Sequence, residues 1–178
     1  MAKTSSVFNR RRGRPPVRMA TCRAFIQALY GELRIAGRRF DVTLADDRET
    51  ERLNRLFRKK AAPTDVLSFP WSDNAGAAPL PVKAAKEFEG FLGDIVISVE
   101  AARRSARRDK RALEVEILQL ILHGLLHLLG YDHETDNGEM NRLELDLRCY
   151  LGIDGKHLSA GARCFSRRAK PAHAQPAR

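Results

Sequence analysis

The stretch from Ile117 to Leu129 constrains this chain more than any other. It is the longest apolar run in the sequence, broken only by Gln119, His123 and His127. It falls short of the ~20 residues needed to cross a bilayer, so it reads as a buried helix, extending from Leu113 to Leu129. Imidazoles on so oily a helix are costly to bury without a partner. His123 and His127 stand four residues apart, so their side chains leave one face of the helix side by side. Gly130 follows where the helix should end, and glycine can take the left-handed conformation that reverses the chain. That reversal can bring His133 back towards the other two. Three neutral imidazoles with one open position are the catalytic form of a zinc site, whereas a structural site uses four protein ligands, usually with cysteine. His123, His127 and His133 are therefore the candidate ligands for one zinc ion per chain. Nitrogen ligands also suit nickel, copper or iron.

The spacing H-x3-H-x2-G-x2-H is shared with metzincin peptidases, which carry a glutamate after the first histidine as general base. Here that residue is Gly124, which cannot accept a proton, so a peptidase reading loses its main catalyst. The three cysteines, Cys22, Cys149 and Cys164, are odd in number and form no CxxC pair. They argue against a disulfide framework or a thiolate metal site, and for a reducing compartment. The first residues lack the apolar segment of a secretory signal, and a cytoplasmic location is expected.

At 178 residues and 43% hydrophobic composition the chain fits one domain with a real core. Its net charge of +10 is unevenly spread. Residues 1–31 and 155–178 hold thirteen of the 32 basic residues and no acid, leaving the middle at −3. Basic ends on a near-neutral globule suggest a polyanionic partner, although charged tails also aid solubility.

Patterning predicts a strand at Ser6–Asn9 and a helix over about 18–34, with Phe25, Ile26, Leu29 and Leu33 on one face. A second strand follows at Phe40–Leu44. The next helix is capped by Asp46 or Asp47, with Leu53, Leu56 and Phe57 as its apolar face. An edge strand lies between Pro63 and Pro70, and a fourth strand at Leu92–Ser98. Residues 70–90, rich in Pro, Ala and Gly, read as a long loop. Helices follow over about 99–110 and 113–129, and Asp136 with Glu139 resembles a capping box for a last one, with Met140, Leu143, Leu147 and Leu151 on its face. The order β-α-β-α-β-β-α-α-α gives an α/β (α+β) fold: a small mixed four-stranded sheet packed with helices, with the zinc site on a central buried helix and the turn after it. Residues 1–154 form one domain, and 155–178 a basic tail expected to be flexible. His157 and His173 lie in that tail, away from the candidate site.

The segment H-G-L-L-H-L-L-G-Y-D-H (123–133) resembles the signature of the YbeY family of endoribonucleases. Two further blocks agree in order and spacing: Leu53-Asn54 with Phe57-Arg58 and 63–70 (P-T-D-V-L-S-F-P), and 93–98 (G-D-I-V-I-S). The resemblance covers about residues 5–153. It implies a zinc-dependent, single-strand-specific RNase that acts in ribosomal RNA maturation, at the 3′ end of the 16S species, and in quality control of the small ribosomal subunit. It implies zinc on the three histidines, an active role for Arg58, and single-stranded ribosomal RNA, the small subunit and its assembly factors as partners, with no membrane. The family usually has glycine after this arginine and an acidic residue two positions later; Lys59 and Ala61 stand here instead.

Composition alone would read 58–60 (R-K-K) as a solvated helix end; the resemblance singles out Arg58, whose guanidinium can grip a phosphate at two points. Arg103, Arg104, Arg107, Arg108 and Arg111 fall on one helix face and form a candidate surface for an RNA backbone, or else a solvated face. Ser68 and Thr64 are candidates to line the cleft, or simply fill strand positions; Ser68 and Asp132 are candidates to hold a ligand histidine in place, and Asp132 is equally a candidate proton acceptor or turn residue. Asp94 suggests a turn or a supporting role. Trp71 offers a stacking surface for a base, or core packing. Two other functional classes stay open: a ribosome-assembly or RNA-binding factor with structural zinc, and a metzincin-like metallopeptidase.

Overall fold

The computed structural model describes residues 5–59, 64–71, 88–132 and 136–154. Strand β1 (Ser6–Asn9) leads through 10–14 (R-R-R-G-R) and two prolines into helix α1 (Met19–Glu32), which buries Cys22, Phe25, Ile26 and Leu29 along one stripe. Strand β2 (Arg39–Ala45) follows, with Phe40, Val42 and Leu44 fully buried at every second position. Helix α2 (Asp47–Arg58) starts where the Asp46 carboxylate accepts the Glu49 amide at 2.9 Å. Strands β3 (Val66–Pro70) and β4 (Phe91–Ser98) come next. Helix α3 (Val99–Arg108) is capped by Ser98, whose hydroxyl accepts the Ala101 amide at 3.1 Å. Helices α4 (Leu113–Leu128) and α5 (Glu139–Tyr150) complete the fold.

The sheet order is β1-β2-β4-β3. The first three strands run parallel and β3 lies antiparallel at one edge, as its flanking prolines suggest. Helices α1 and α4 cover one face, which holds the main core of Phe40, Val42, Leu44, Ile95 and Ile97. Helix α2 lies against the opposite face, where Ala45, Leu67 and Val96 form a much smaller apolar cluster.

Helix α2 corrects the expected apolar face. It buries Thr50 and Asn54, whereas Leu56 and Phe57 are 61% and 66% exposed and Leu53 only half-buried. Polar contacts set its rotation. Asp47 hydrogen-bonds the Ser98 hydroxyl and is gripped by Arg104 from α3, while Thr50 donates to the carbonyls of Asp46 and Asp47. With residues 47, 50 and 54 turned inward, 56 and 57 are carried outward.

Cys22 is free and buried, and burial pushes its thiol up to about 11. Among the described residues no helix is long and apolar enough to cross a membrane. The expected tail, 155–178, and most of the expected loop, 72–87, lie outside the described residues.

Candidate metal centre

Helix α4 is buried along nearly all of its length, and its polar residues each have a local reason. Gln119 bonds Arg111 and the Ile153 carbonyl, and Glu116 pairs with Arg111 at 3.1 Å. His123 and His127 are only partly buried, so the oily helix opens to solvent at these two positions. Their Nε2 atoms lie 3.2 Å apart and their rings meet edge to face. A tetrahedral ion with metal–nitrogen bonds of about 2.0–2.1 Å spaces two ligand nitrogens about 3.4 Å apart. The pair therefore fits one shared cation.

The other nitrogen of His123 is also held. Its Nδ1 lies 3.1 Å from Oε2 of Glu144, a residue of α5 that is 5% exposed. The second oxygen of Glu144 accepts from Arg148 one turn later. Burial alone pushes the Glu144 carboxyl up, but His123 and Arg148 outweigh it and hold the group below the usual range. A carboxylate at Nδ1 favours the proton there, which leaves the Nε2 lone pair free for a metal. Glu144 escaped the sequence reading. Its signal was a carboxylate at the i+4 position between Met140 and Leu147 on the buried face of α5, where a lone acid demands a partner.

Gly124 explains its own presence. A Cβ there would meet Ile95 Cγ2 at 2.8 Å and Ser68 Oγ at 3.1 Å. The bare backbone lets α4 lie directly on β3 and β4, and Ser68 donates to the Gly124 carbonyl at 3.2 Å. Position 124 thus faces the sheet, with no room for the glutamate of a metzincin. Ser68 supports the helix between the two histidines rather than bonding a histidine side chain. Gly130, at φ 91°, ends the helix as expected: its amide bonds the His127 carbonyl and that of Tyr131 the Leu126 carbonyl. The Asp132 carbonyl accepts the Asp136 amide, and the Asp136 carboxylate accepts the amides of Gly138 and Met140 at the start of α5.

His133, the expected third ligand, lies outside the described residues, and among those described no group of three metal-ligating side chains converges. Arg58 is exposed at the last position of α2, just before the left-handed Lys59. The five-arginine face breaks up. Helix α3 ends at Arg108, Arg104 is held by Asp47, and Arg108 and Arg111 pair with Asp109. Arg103 and Arg107 remain without an ion pair among the described residues. Thr64 bonds within its own turn. Trp71 stacks on Phe88 at 4.3 Å, which favours packing over base binding. Asp94 sits inside β4, on the face away from α4.

The family model for Endoribonuclease YbeY matches residues 17–149. An Anaeromyxobacter protein named Endoribonuclease YbeY is 41% identical over 84% of this chain and 72% of its own length. A Solibacter usitatus protein of the same name is 42% identical over 80% of this chain and 86% of its own. A third, from Myxococcus xanthus, is 40% identical over 89% of this chain, which spans half of that relative. The solution structure of TM1509 from Thermotoga maritima shares the fold, with a TM-score of 0.50 and 24% identity over 80% of this chain and 85% of its own. The chain belongs to the endoribonuclease YbeY family.

Proposed function

We propose that this protein is a zinc-dependent endoribonuclease that cuts single-stranded RNA, with His123, His127 and His133 as the metal ligands. The observation that carries this reading is the convergence of two Nε2 atoms at 3.2 Å, one of them backed by a buried carboxylate. Zinc, when bound, would lower the pKa of a water from about 15.7 towards neutrality and polarise a phosphoryl oxygen. Glu144 holds the His123 proton at Nδ1 and fixes the ring. Arg58 would neutralise charge building on the scissile phosphate, an effect whose loss typically costs about 10²–10³ in rate. No described residue stands out as general base, and both water and the substrate's own 2′-hydroxyl remain candidate nucleophiles. By its family the protein would act at the 3′ end of 16S ribosomal RNA and in quality control of the small subunit.

The test is incubation of end-labelled ribosomal RNA precursor with wild type, His127→Ala and Arg58→Ala, with and without chelator. The reading expects cutting by wild type alone, lost on chelation, while both variants keep a native circular dichroism spectrum. A 2′,3′-cyclic phosphate on the products identifies the 2′-hydroxyl as nucleophile. RNA that is bound but left intact would replace this reading with an assembly factor carrying structural zinc.

A further inference from the structure

The sheet face away from α4 carries a second feature that the cutting chemistry does not use. Alternation along the strands sends Thr43, Phe69, Asp94 and Val96 to this side, opposite Ser68 and Ile95, which touch α4. Helix α2 covers the face only in part and leaves an open cavity of about 420 Å³, a size suited to a small ligand. Phe57 and Phe69 line it, their rings 5.0 Å apart and edge to face. Phe57 is 66% exposed, an unusual position for a ring that could have faced the core. Arg10, Arg52, Thr43, Glu49 and Asp94 supply its polar lining, and Arg52 is paired there with Glu49 at 2.8 Å, which leaves Arg10 as the cation not held in an ion pair among the described residues.

Arg10 also opens the basic loop at 10–14, and the fold fixes that loop. The Arg10 amide bonds the Leu44 carbonyl at 3.0 Å. Arg11 pairs with Glu100 at 2.5 Å, and the other oxygen of Glu100 accepts the Asp47 amide at 3.2 Å. Arg12 and Arg14 are exposed and form no ion pair among the described residues. An exposed aromatic ring beside guanidinium groups is the chemistry that grips single strands: a base stacks on the ring and its phosphates meet the cations.

We propose that this cavity is a second RNA-binding site, in which an unpaired base stacks on Phe57 while the adjoining backbone runs along Arg10, Arg12 and Arg14. The assignment rests on the nuclease reading for the identity of the polymer, and it lies across the sheet from the histidine pair. Because Phe57 adjoins Arg58 at the end of α2, it gives the enzyme a hold on the strand beside the segment being cut.

The experiment is fluorescence anisotropy with a short, unstructured RNA carrying 4-thiouridine, its integrity checked on a gel, followed by photo-cross-linking and peptide mapping. Phe57→Ala is expected to weaken binding about tenfold, with Phe57→Tyr close to wild type. Changing Arg10, Arg12 and Arg14 together to Gln is expected to reduce the slope of log affinity against log salt by about two. Cross-links should fall on the peptides containing Phe57 or Phe69. Unchanged affinity of a natively folded Phe57→Ala, cross-links confined to α4, or equal binding of a fully paired duplex would each overturn the site. Wild type that cuts RNA alongside an unaffected Phe57→Ala would sink this proposal alone. Wild type that neither binds nor cuts RNA would sink the nuclease reading with it.

Discussion

The two faces of the sheet are built by opposite rules. On the α4 face, backbone and side chains are locked together: Gly124 lies on Ile95 and Ser68, and His123, Glu144 and Arg148 form a chain of contacts reaching into α5. On the α2 face a small apolar cluster supports a helix held mainly by polar contacts, and an aromatic ring stands in solvent. The difference teaches where this fold keeps rigidity. Fixed geometry suits ligands that must hold a metal in one arrangement, whereas an open, half-polar surface suits a partner that varies in sequence.

The largest expected effect would come from breaking the tight face. Gly124→Ala drives a methyl into Ile95 Cγ2 at 2.8 Å. A cost of about 1–3 kcal/mol is expected for such overpacking, read as a fall in the urea midpoint. A variant as stable as wild type would show that the helix can lift off the sheet at little cost, and the contrast between the faces would weaken.

Next comes the carboxylate behind the histidine. Glu144→Gln keeps the shape of the side chain but removes the charge facing His123 and Arg148. Loss of such a partner typically lowers metal affinity about 10- to 100-fold, which competition with a zinc chelator measures. Unchanged affinity would mean that Glu144 serves only to pack α5.

On the open face, Phe57→Ala should leave stability within about 0.5 kcal/mol, as expected for an exposed side chain that packs only at its edge. Thermal denaturation checks this. A large loss would make Phe57 a structural residue and remove the asymmetry.

The smallest effect concerns acid. The hydrogen bond from Arg104 holds the Asp47 carboxyl below its ordinary value, with help from Ser98. A depressed folded value contributes stability that is present above the unfolded carboxylate pKa, about 3.9. That stability is lost as pH falls through the lower folded value. Asp47→Asn should therefore narrow its gap to wild type as pH drops below about 4, in unfolding titrations across that range. A gap independent of pH would assign the contact to shape rather than charge.

The same contrast explains what could be read from the sequence. On the tight face, periodicity and glycine placement carry the structure: the buried run, the i and i+4 histidines and the reversal at Gly130 all stand as the spacing predicts. The edge position of β3 and the mixed sheet follow from its prolines and from the strand order. Helix α2 could not be read the same way, because its rotation depends on Asp47 meeting Ser98 and Arg104 some fifty residues away. Arg111 leaves the expected arginine face for a related reason. Helix periodicity continues past residue 108, but the chain leaves the helix and enters the left-handed region at Lys110, so Arg111 turns to Gln119 and Glu116. Glu144 was missed because its partner lies 21 residues away on another helix.

The most direct test of the account is zinc content and RNA cutting measured on the same preparations of wild type and His127→Ala. The account predicts one zinc per wild-type chain, cutting that rises in proportion to zinc added back after chelation, and a folded His127→Ala protein that neither retains zinc nor cuts. Equal cutting by a folded, zinc-free His127→Ala would contradict it, and would move the catalytic centre away from the helix α4 histidines.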